Sequence, residues 1–132
     1  MLKLPAGAEY SLLAMTHLAE TYRTGELAKA AEVADAAGIP LSFLERLLSQ
    51  LRAAGLIEST RGPGGGHRLA RPPEAITAGE ALEVILGPSV IGGRLAFLWE
   101  RCERVLSEVL GVSLAELADE LRREQDVANY QI

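Results

Sequence analysis

Four glycines within five residues separate two short segments of alternating polarity in this chain. The loop reads RGPGGG from Arg61, the segment GLIEST precedes it, and HRLA follows it. Two alternating segments joined by a glycine-containing loop are typical of a β-hairpin. Three interpretations are open at this point: a nucleotide-binding loop, a flexible linker, and a hairpin whose tip approaches a polyanion.

The residues after the glycines argue against the first two interpretations. A Walker-type loop needs a lysine and a hydroxyl residue after its last glycine, followed by a helix whose amino terminus faces the phosphates. His67 and Arg68 stand there instead, and a strand-like segment follows. A linker would join two separate cores, whereas 132 residues suit one compact unit. We therefore favour the hairpin.

Three helices are predicted before the hairpin, because apolar residues recur at spacings of three and four. The first covers residues 9–22 and carries His17 on its apolar face, where we expect a buried, hydrogen-bonded ring rather than a metal ligand. The second covers residues 28–37. The third has Pro40 in its first turn and ends at Gly55.

The corner between the second and third helices has the residue pattern of a helix-turn-helix. A steep crossing over a short turn needs a small residue, then a residue that tolerates positive φ, then a large apolar anchor. Ala34, Gly38 and Leu44 meet these needs in order. With the hairpin directly behind the third helix, the pattern predicts a winged helix.

The distribution of charge favours a polyanionic partner. The chain as a whole has a net charge of −5, but residues 38–73 carry five basic and only two acidic residues. This basic block contains the glycine loop. Positive charge therefore coincides with a glycine-rich segment that lacks side chains, and such a segment can approach the phosphate backbone of a nucleic acid closely.

Several segments, in this order, resemble the IscR/NsrR/CymR family of bacterial winged-helix transcription regulators: YSLLAM, AEVADAAGI, LSFLERLLSQLRAAGLIESTRGPGGGHRLARPP and ITAGEALEVI. The resemblance implies a mainly α fold, with a winged helix-turn-helix and two-stranded wing in residues 1–86. Residues 87–132 would hold a loop, a long dimerisation helix, a short helix and a tail. It implies a homodimeric DNA-binding regulator, most simply a repressor, on a pseudo-palindromic operator.

Residues implied to contact DNA lie in three places. The amino-terminal end of the third helix is expected to meet base edges in the major groove through Pro40, Ser42, Phe43, Glu45 and Arg46. The wing is expected to touch the minor groove through Arg61, Gly62, Gly64, Gly65, Gly66, His67 and Arg68. Lys3 and Lys29 are predicted to add further positive charge. Two alternatives stay open, a solvated charge for Glu45 and a packing role for Phe43.

The loop before the long helix departs from the family. Many members hold an iron–sulfur cluster there through three cysteines, whereas this loop reads LGPSVIGGRLAFLW. The single cysteine, Cys102, lies on the helix, where we expect it to be half-buried. We therefore predict no metal and no cofactor. A small ligand near GPSVIGG, or sensing of iron–sulfur status by other means, is an alternative.

An apolar stripe along the long helix predicts the dimer contact. Its residues are Leu95, Leu98, Trp99, Cys102, Val105, Leu106 and Val109. A last helix is expected over residues 114–124, with Ser113 and Glu116 as its capping box. Thr77 and Glu80 are expected to form a similar capping box at the start of the fourth helix. Whether this last helix packs on its own subunit or on the partner is open.

Other function classes are disfavoured on the same residues. An enzyme needs a nucleophile beside a base, or clustered acids, and two histidines far apart in the sequence supply neither. A winged helix that binds only protein remains an alternative, because the chain is acidic. No export signal or membrane span is predicted, which suggests a cytoplasmic protein.

The carboxy-terminal residues DVANYQI suggest one further partner. Family members that regulate cysteine metabolism also lack the cluster cysteines, and are controlled by a cysteine-biosynthetic enzyme. A free tail ending in Tyr130 and Ile132 resembles peptides that enter the active site of O-acetylserine sulfhydrylase. A frayed terminus without a partner is the simpler alternative.

Overall fold

The computed structural model describes residues 4–88 and 92–130, which form a winged helix followed by two further helices. The helices are α1 (Ala6–Tyr22), α2 (Ala30–Ala37), α3 (Leu41–Ala53), α4 (Ala78–Leu86), α5 (Ala96–Leu110) and α6 (Leu114–Tyr130). Strands β1 (Ile57–Thr60) and β2 (Gly66–Leu69) pair antiparallel, and a 3₁₀ turn covers Pro73–Ala75. The predicted mainly α, winged-helix fold class is confirmed. Within the described ranges, no helix combines the length and the apolar character needed to cross a bilayer.

Helix α1 lies at the centre of the core. Met15 and Leu18 on α1 are fully buried, and the helix contacts α2, α3, α4, α6 and β2. Other large side chains that are almost completely buried come from α2, α3, β2, the segment before α4, and α6: Val33, Leu44, Leu51, Leu69, Ile76 and Leu114. The apolar spacing of three and four therefore produces a single core whose outer surface carries α3 and the hairpin.

The predicted corner between α2 and α3 is present. Gly38 has φ +68°, and the N–H of Ile39 donates to the carbonyl of Ala34 at 3.0 Å. Ala34 and Leu44 are buried on either side of the turn. Glycine ends α2 because this left-handed conformation is strained for other residues. Pro40 directly precedes α3 rather than forming its first turn.

Two helix boundaries differ from the prediction at their amino-terminal ends. Helix α1 begins at Ala6, three residues before the predicted start. Helix α2 begins at Ala30 because Ala28 forms a β-bridge with His67 instead. The N–H of His67 donates to the Ala28 carbonyl at 2.7 Å, and the reverse bond measures 2.9 Å. The hairpin therefore has a third, one-residue partner.

The segment after α5 returns to the core of the same chain. Thr77 and Ser113 form a β-bridge, and their hydroxyl groups accept from the N–H groups of Glu80 and Glu116, as the capping boxes predicted. Helix α6 packs on α1, and Arg122 pairs with Glu20 at 2.8 Å. The prediction left open which subunit this helix covers. The predicted domain boundary between residues 86 and 87 stays a prediction.

Helix α6 is also longer than predicted. It continues to Tyr130, whose side chain is 91% exposed, so the segment predicted as a free tail is helical up to that residue. Ile132 lies outside the described residues.

Candidate nucleic-acid interface

The exposed face of α3 forms a ridge of polar side chains. Ser42, Glu45 and Ser49 follow one another at spacings of three and four, and all are exposed. The opposite face is anchored in the core by Leu44, Leu47, Leu48 and Leu51. The ridge is thus held outward by the same periodicity that buries the leucines. Ser49 was missed by the sequence analysis, although its spacing from Glu45 identifies it.

A groove of about 570 Å³ lies along one side of the ridge. We call it the aromatic groove, because Phe43 lines it together with Arg46 and with Gly7 and Ile85 of the neighbouring helices. Phe43 is half-buried and forms a T-shaped pair with Tyr10 of α1. Phe43 therefore has a packing contact in addition to its place beside the ridge.

A cleft of about 480 Å³ separates the other side of the ridge from the hairpin. We call it the hairpin cleft. Its polar lining consists of Glu45, Ser49, Arg52, Ser59, Arg61 and His67. Among the described residues, Arg52 and Arg61 have no ion-pair partner. Two available guanidinium groups are suited to bind phosphate oxygens. Arg52 was missed, although it continues the exposed spacing of α3 within the basic block.

His67 lies in this cleft as a neutral side chain. Its Nδ1 is 2.6 Å from the Ser59 hydroxyl oxygen. Burial, and secondarily the positive charge of Arg52, lowers the pKa of His67 from its ordinary value of 6.5. The positive charge in the cleft therefore belongs to the arginines at neutral pH, and not to the histidine.

The depressed pKa of His67 predicts a loss of stability in acid. Below about pH 6.5 the unfolded chain takes up a proton at this histidine more readily than the folded chain, so unfolding becomes easier as pH falls. We expect His67→Gln to reduce the loss of stability between about pH 7 and about pH 5. Urea unfolding midpoints measured across this range test the prediction. Ser59→Ala keeps the histidine and should keep the wild-type profile, whereas superimposable profiles for wild type and His67→Gln would contradict the assignment.

The glycines of the loop are required by the chain's own backbone. A Cβ on Gly65 would collide with the Thr60 carbonyl oxygen and lie 2.9 Å from that of Gly62, and a Cβ on Gly66 would lie 2.8 Å from the Ala28 carbonyl oxygen. Gly62 and Gly64 have φ of +92° and +77° and face open space. Close approach of DNA was the expected reason for all four glycines. Gly62 and Gly64 stay candidates for that approach, whereas Gly65, which is buried, and Gly66 have an intramolecular reason.

The two wing arginines lie on different sides of the hairpin. Arg68 pairs with Glu58, its cross-strand neighbour, with Nη2 at 2.9 Å from the carboxylate. Because side chains alternate along a strand, Arg68 points away from the face that carries His67. It lines a separate depression with Tyr22 and Glu26. The structure therefore brings Arg61, and not Arg68, together with α3.

The remaining predicted DNA contacts are more dispersed. Lys29 is exposed directly before α2, and Pro40 is exposed directly before α3. Lys3 lies outside the described residues, so the structure does not place it.

The predicted stripe of α5 is open to solvent in the single chain. None of the fifteen residues of this helix, all of which the structure describes, is buried. The predicted stripe residues are all exposed, and Cys102 among them is more exposed than expected. Contiguous apolar surface of this kind marks an interaction site.

His17 differs from its prediction. Its ring is only half-buried and lines a cleft between α1, α2 and α6, and no hydrogen bond joins it to another described residue. In the structure, His17 lies at the edge of the apolar face of α1 and not at its centre.

The side chains of this chain do not fit an iron–sulfur cluster. Such clusters need several thiolate ligands, but the sequence contains one cysteine, and residues 87–95 contain neither cysteine nor histidine. Within the described ranges, no three His, Cys, Asp or Glu side chains are grouped closely enough to hold a metal ion.

Comparison with known proteins identifies related sequences over nearly the whole chain. The model of the Rrf2 family, described as iron-dependent transcriptional regulators, matches residues 4–124. A curated relative, the HTH-type transcriptional regulator IscR of Cereibacter sphaeroides, is 44% identical over 85 residues. That alignment covers 64% of this chain and 55% of the relative, so this chain spans about half the length of that relative.

Solved structures of the same kind superimpose closely on the chain. IscR of T. potens has a TM-score of 0.81 at 30% identity, covering 94% of this chain and 91% of that protein. CymR, the global cysteine regulator of B. subtilis, has a TM-score of 0.78 at 34% identity, covering 91% of this chain and 98% of that protein.

Proposed function

Because this chain belongs to the Rrf2 family of transcriptional regulators, we propose that it binds a pseudo-palindromic DNA operator as a cytoplasmic homodimer. Family membership makes it a DNA-binding regulator and not an enzyme. The family is described as iron-dependent. Since the donor set of this chain does not fit a cluster, we propose that its signal is received without one.

One observation carries the proposed DNA interface: three of the cations that have no ion-pair partner among the described residues flank the polar ridge of α3. Arg46 stands on one side of the ridge, and Arg52 and Arg61 stand on the other side in the hairpin cleft. Arg23, Arg68, Arg71 and Arg122 are paired with carboxylates elsewhere on the surface. We infer that the ridge enters the major groove and that the hairpin cleft receives a backbone phosphate.

The exposed face of α5 supports the proposed dimer. Two copies of the stripe packed about a two-fold axis would cover apolar side chains that are exposed in the described part of the chain. The same axis would place the two α3 helices about one DNA turn apart, roughly 34 to 36 Å, as half-sites of a palindrome require.

Three finer predictions rest on the resemblance alone. They are repression as the direction of control, a link to cysteine or sulfur metabolism, and the binding of a cysteine-biosynthetic enzyme through Tyr130 and Ile132. A free peptide would enter an enzyme active site in an extended form, and Tyr130 lies in the last turn of α6. A complex at that site would therefore require this turn to unwind.

Salt dependence of DNA binding tests the proposed function. An operator is first recovered from random oligonucleotides, and its affinity is then measured from about 50 to about 200 mM salt, where each neutralised phosphate contributes about 0.9 to the slope of log affinity against log salt. We expect Arg52→Ala and Arg61→Ala each to lower this slope by about 0.9 and to weaken binding to all sequences. Ser42→Ala and Glu45→Ala should instead relax the preference at one or two base pairs, by about 1 to 3 kcal/mol.

Arg123→Ala supplies the matched control. It removes the same charge from the exposed surface of α6 and should leave the slope unchanged. Absence of any salt-dependent binding by the wild-type protein would favour the alternative, a winged helix that binds only protein. Equal slopes of log affinity against log salt for wild type, Arg52→Ala and Arg61→Ala would show that the hairpin cleft does not contact DNA phosphates.

A further inference from the structure

We propose that Tyr10, Phe43 and Arg46 form a stack that positions the Arg46 guanidinium to read a guanine edge rather than to contact a phosphate. The inference rests on the proposed DNA-binding function and deepens it, because it assigns a role to the aromatic groove. In this arrangement Arg46 is the reading residue, and Phe43 and Tyr10 are positioning residues.

The first contact of the stack is between Arg46 and Phe43. The central carbon of the guanidinium lies over the Phe43 ring, 5.0 Å from its centroid. This is inside the roughly 6 Å at which a ring face attracts a guanidinium group. Among the described residues Arg46 has no ion-pair partner, so the ring is the contact that directs its charge.

The second contact holds the ring itself. Tyr10 and Phe43 meet with centroids 5.5 Å apart and ring planes at 82°, the edge-to-face arrangement that aromatic pairs favour. Gly7 of α1 and Ile85 of α4 line the same groove beside the ring. Phe43 is therefore supported by two helices of the core, α1 and α4.

The direction of the stack points to a base edge. Phe43 precedes Arg46 by one helical turn, so stacking draws the guanidinium toward the amino-terminal end of α3. In helix-turn-helix proteins the amino-terminal residues of this helix meet base edges. A planar guanidinium held toward this end of the helix suits the paired acceptors O6 and N7 of guanine.

Preorganisation gives the stack its physical value. A free arginine loses rotamer freedom when it docks on a base, and a side chain already stacked on a ring loses less. Among the described residues, no aromatic ring stacks under Arg52 or Arg61 in the hairpin cleft, which matches their proposed contacts with phosphate.

A double-mutant cycle on the recovered operator tests the stack. Arg46→Ala should lose about 10-fold to 100-fold of the preference for guanine at one position, with the salt slope unchanged. Phe43→Leu should lose about 10-fold at the same position although Arg46 is still present. In the Arg46→Ala background, Phe43→Leu should add less than about 2-fold, because a positioning residue has nothing left to position.

Two further variants separate positioning from a general structural role. Tyr10→Leu removes the supporting ring, which lies on α1 and not on α3, and should weaken the same base preference, whereas Tyr10→Phe keeps the ring and should keep the preference. Thermal unfolding of each variant shows whether it is folded. A Tyr10→Leu protein that is folded and keeps full preference for guanine would overturn the stack.

The remaining outcomes are distinct for the stack and for DNA binding itself. Equal losses on operator and random DNA for Arg46→Ala, with a slope lower by about 0.9, would make Arg46 a phosphate contact and overturn the stack alone. Additive losses for Phe43→Leu and Arg46→Ala would make Phe43 an independent contact, with the same consequence. Wild-type protein without salt-dependent binding would overturn the proposed function, and the stack with it.

Discussion

Replacing Leu106 by glutamate is expected to prevent the proposed dimer from forming and to lower operator affinity by about 100-fold or more, the factor that linked binding of two half-sites supplies. Leu106 is 50% exposed near the centre of the apolar stripe of α5. A two-fold axis brings the substituted residue into the contact twice, so two carboxylates would lose water without gaining a partner. Burial of an unpaired charge costs several kcal/mol per ion, on the order of the stability of a small interface.

Sedimentation measures the first effect, and affinity for a full operator against a half-site measures the second. Ser107→Glu is the matched control, because it places the same charge on the next residue, about 100° around the helix and off the stripe. We expect this control to remain dimeric. A Leu106→Glu protein that sediments as the wild type does, with full operator affinity, would show that α5 is not the dimer contact.

Replacing Gly65 by alanine is expected to disrupt the hairpin. The added Cβ would collide with the Thr60 carbonyl oxygen and press on the Gly62 carbonyl oxygen and the Arg61 carbonyl carbon, all of which are backbone atoms. Backbone atoms cannot rotate away as a side chain does, so we expect a loss of about 2 to 3 kcal/mol in the free energy of unfolding, or local opening of the hairpin. Either result would displace Arg61 from the hairpin cleft and weaken DNA binding.

A series of glycine variants makes the effect specific. Gly64→Ala meets open space at φ +77° and should cost about 1 to 2 kcal/mol from backbone strain alone. Gly92→Ala meets nothing within 4 Å and is not in the left-handed region, so it should change stability by less than about 0.5 kcal/mol. Urea unfolding ranks the three variants by their loss of stability, and tryptic cleavage after Arg61 reports opening of the hairpin. Identical behaviour of Gly65→Ala and Gly92→Ala would contradict the backbone packing.

Features set by neighbouring residues were predictable. Gly38 ends α2 with a positive φ, and Thr77 and Ser113 accept from the N–H groups three residues on. The leucines of α3 face the core as their spacing requires. Each of these features depends on residues within one or two helical turns, and the chain's own local geometry determines the partners.

Contacts between distant segments were not predictable from spacing. The β-bridge of Ala28 with His67 shortens α2, and the Tyr10 ring supports Phe43 across two helices. Helix α6 covers α1 of its own chain through Arg122 and Glu20. Pattern alone leaves such partners undetermined, because many arrangements bury the same apolar faces.

The sequence by itself determined the winged-helix order of elements, the concentration of basic residues in one block, and the absence of a cysteine set for a cluster. Those properties follow from local periodicity, composition and residue identity. Only the tertiary structure decided that Arg61 joins α3 while Arg68 pairs with Glu58 on the other side of the hairpin. The physical reason is that strand alternation sends Arg68 to the face opposite His67, whereas the loop after β1 places Arg61 in the cleft on the His67 side, and the packing of the hairpin on the core selects which face adjoins α3.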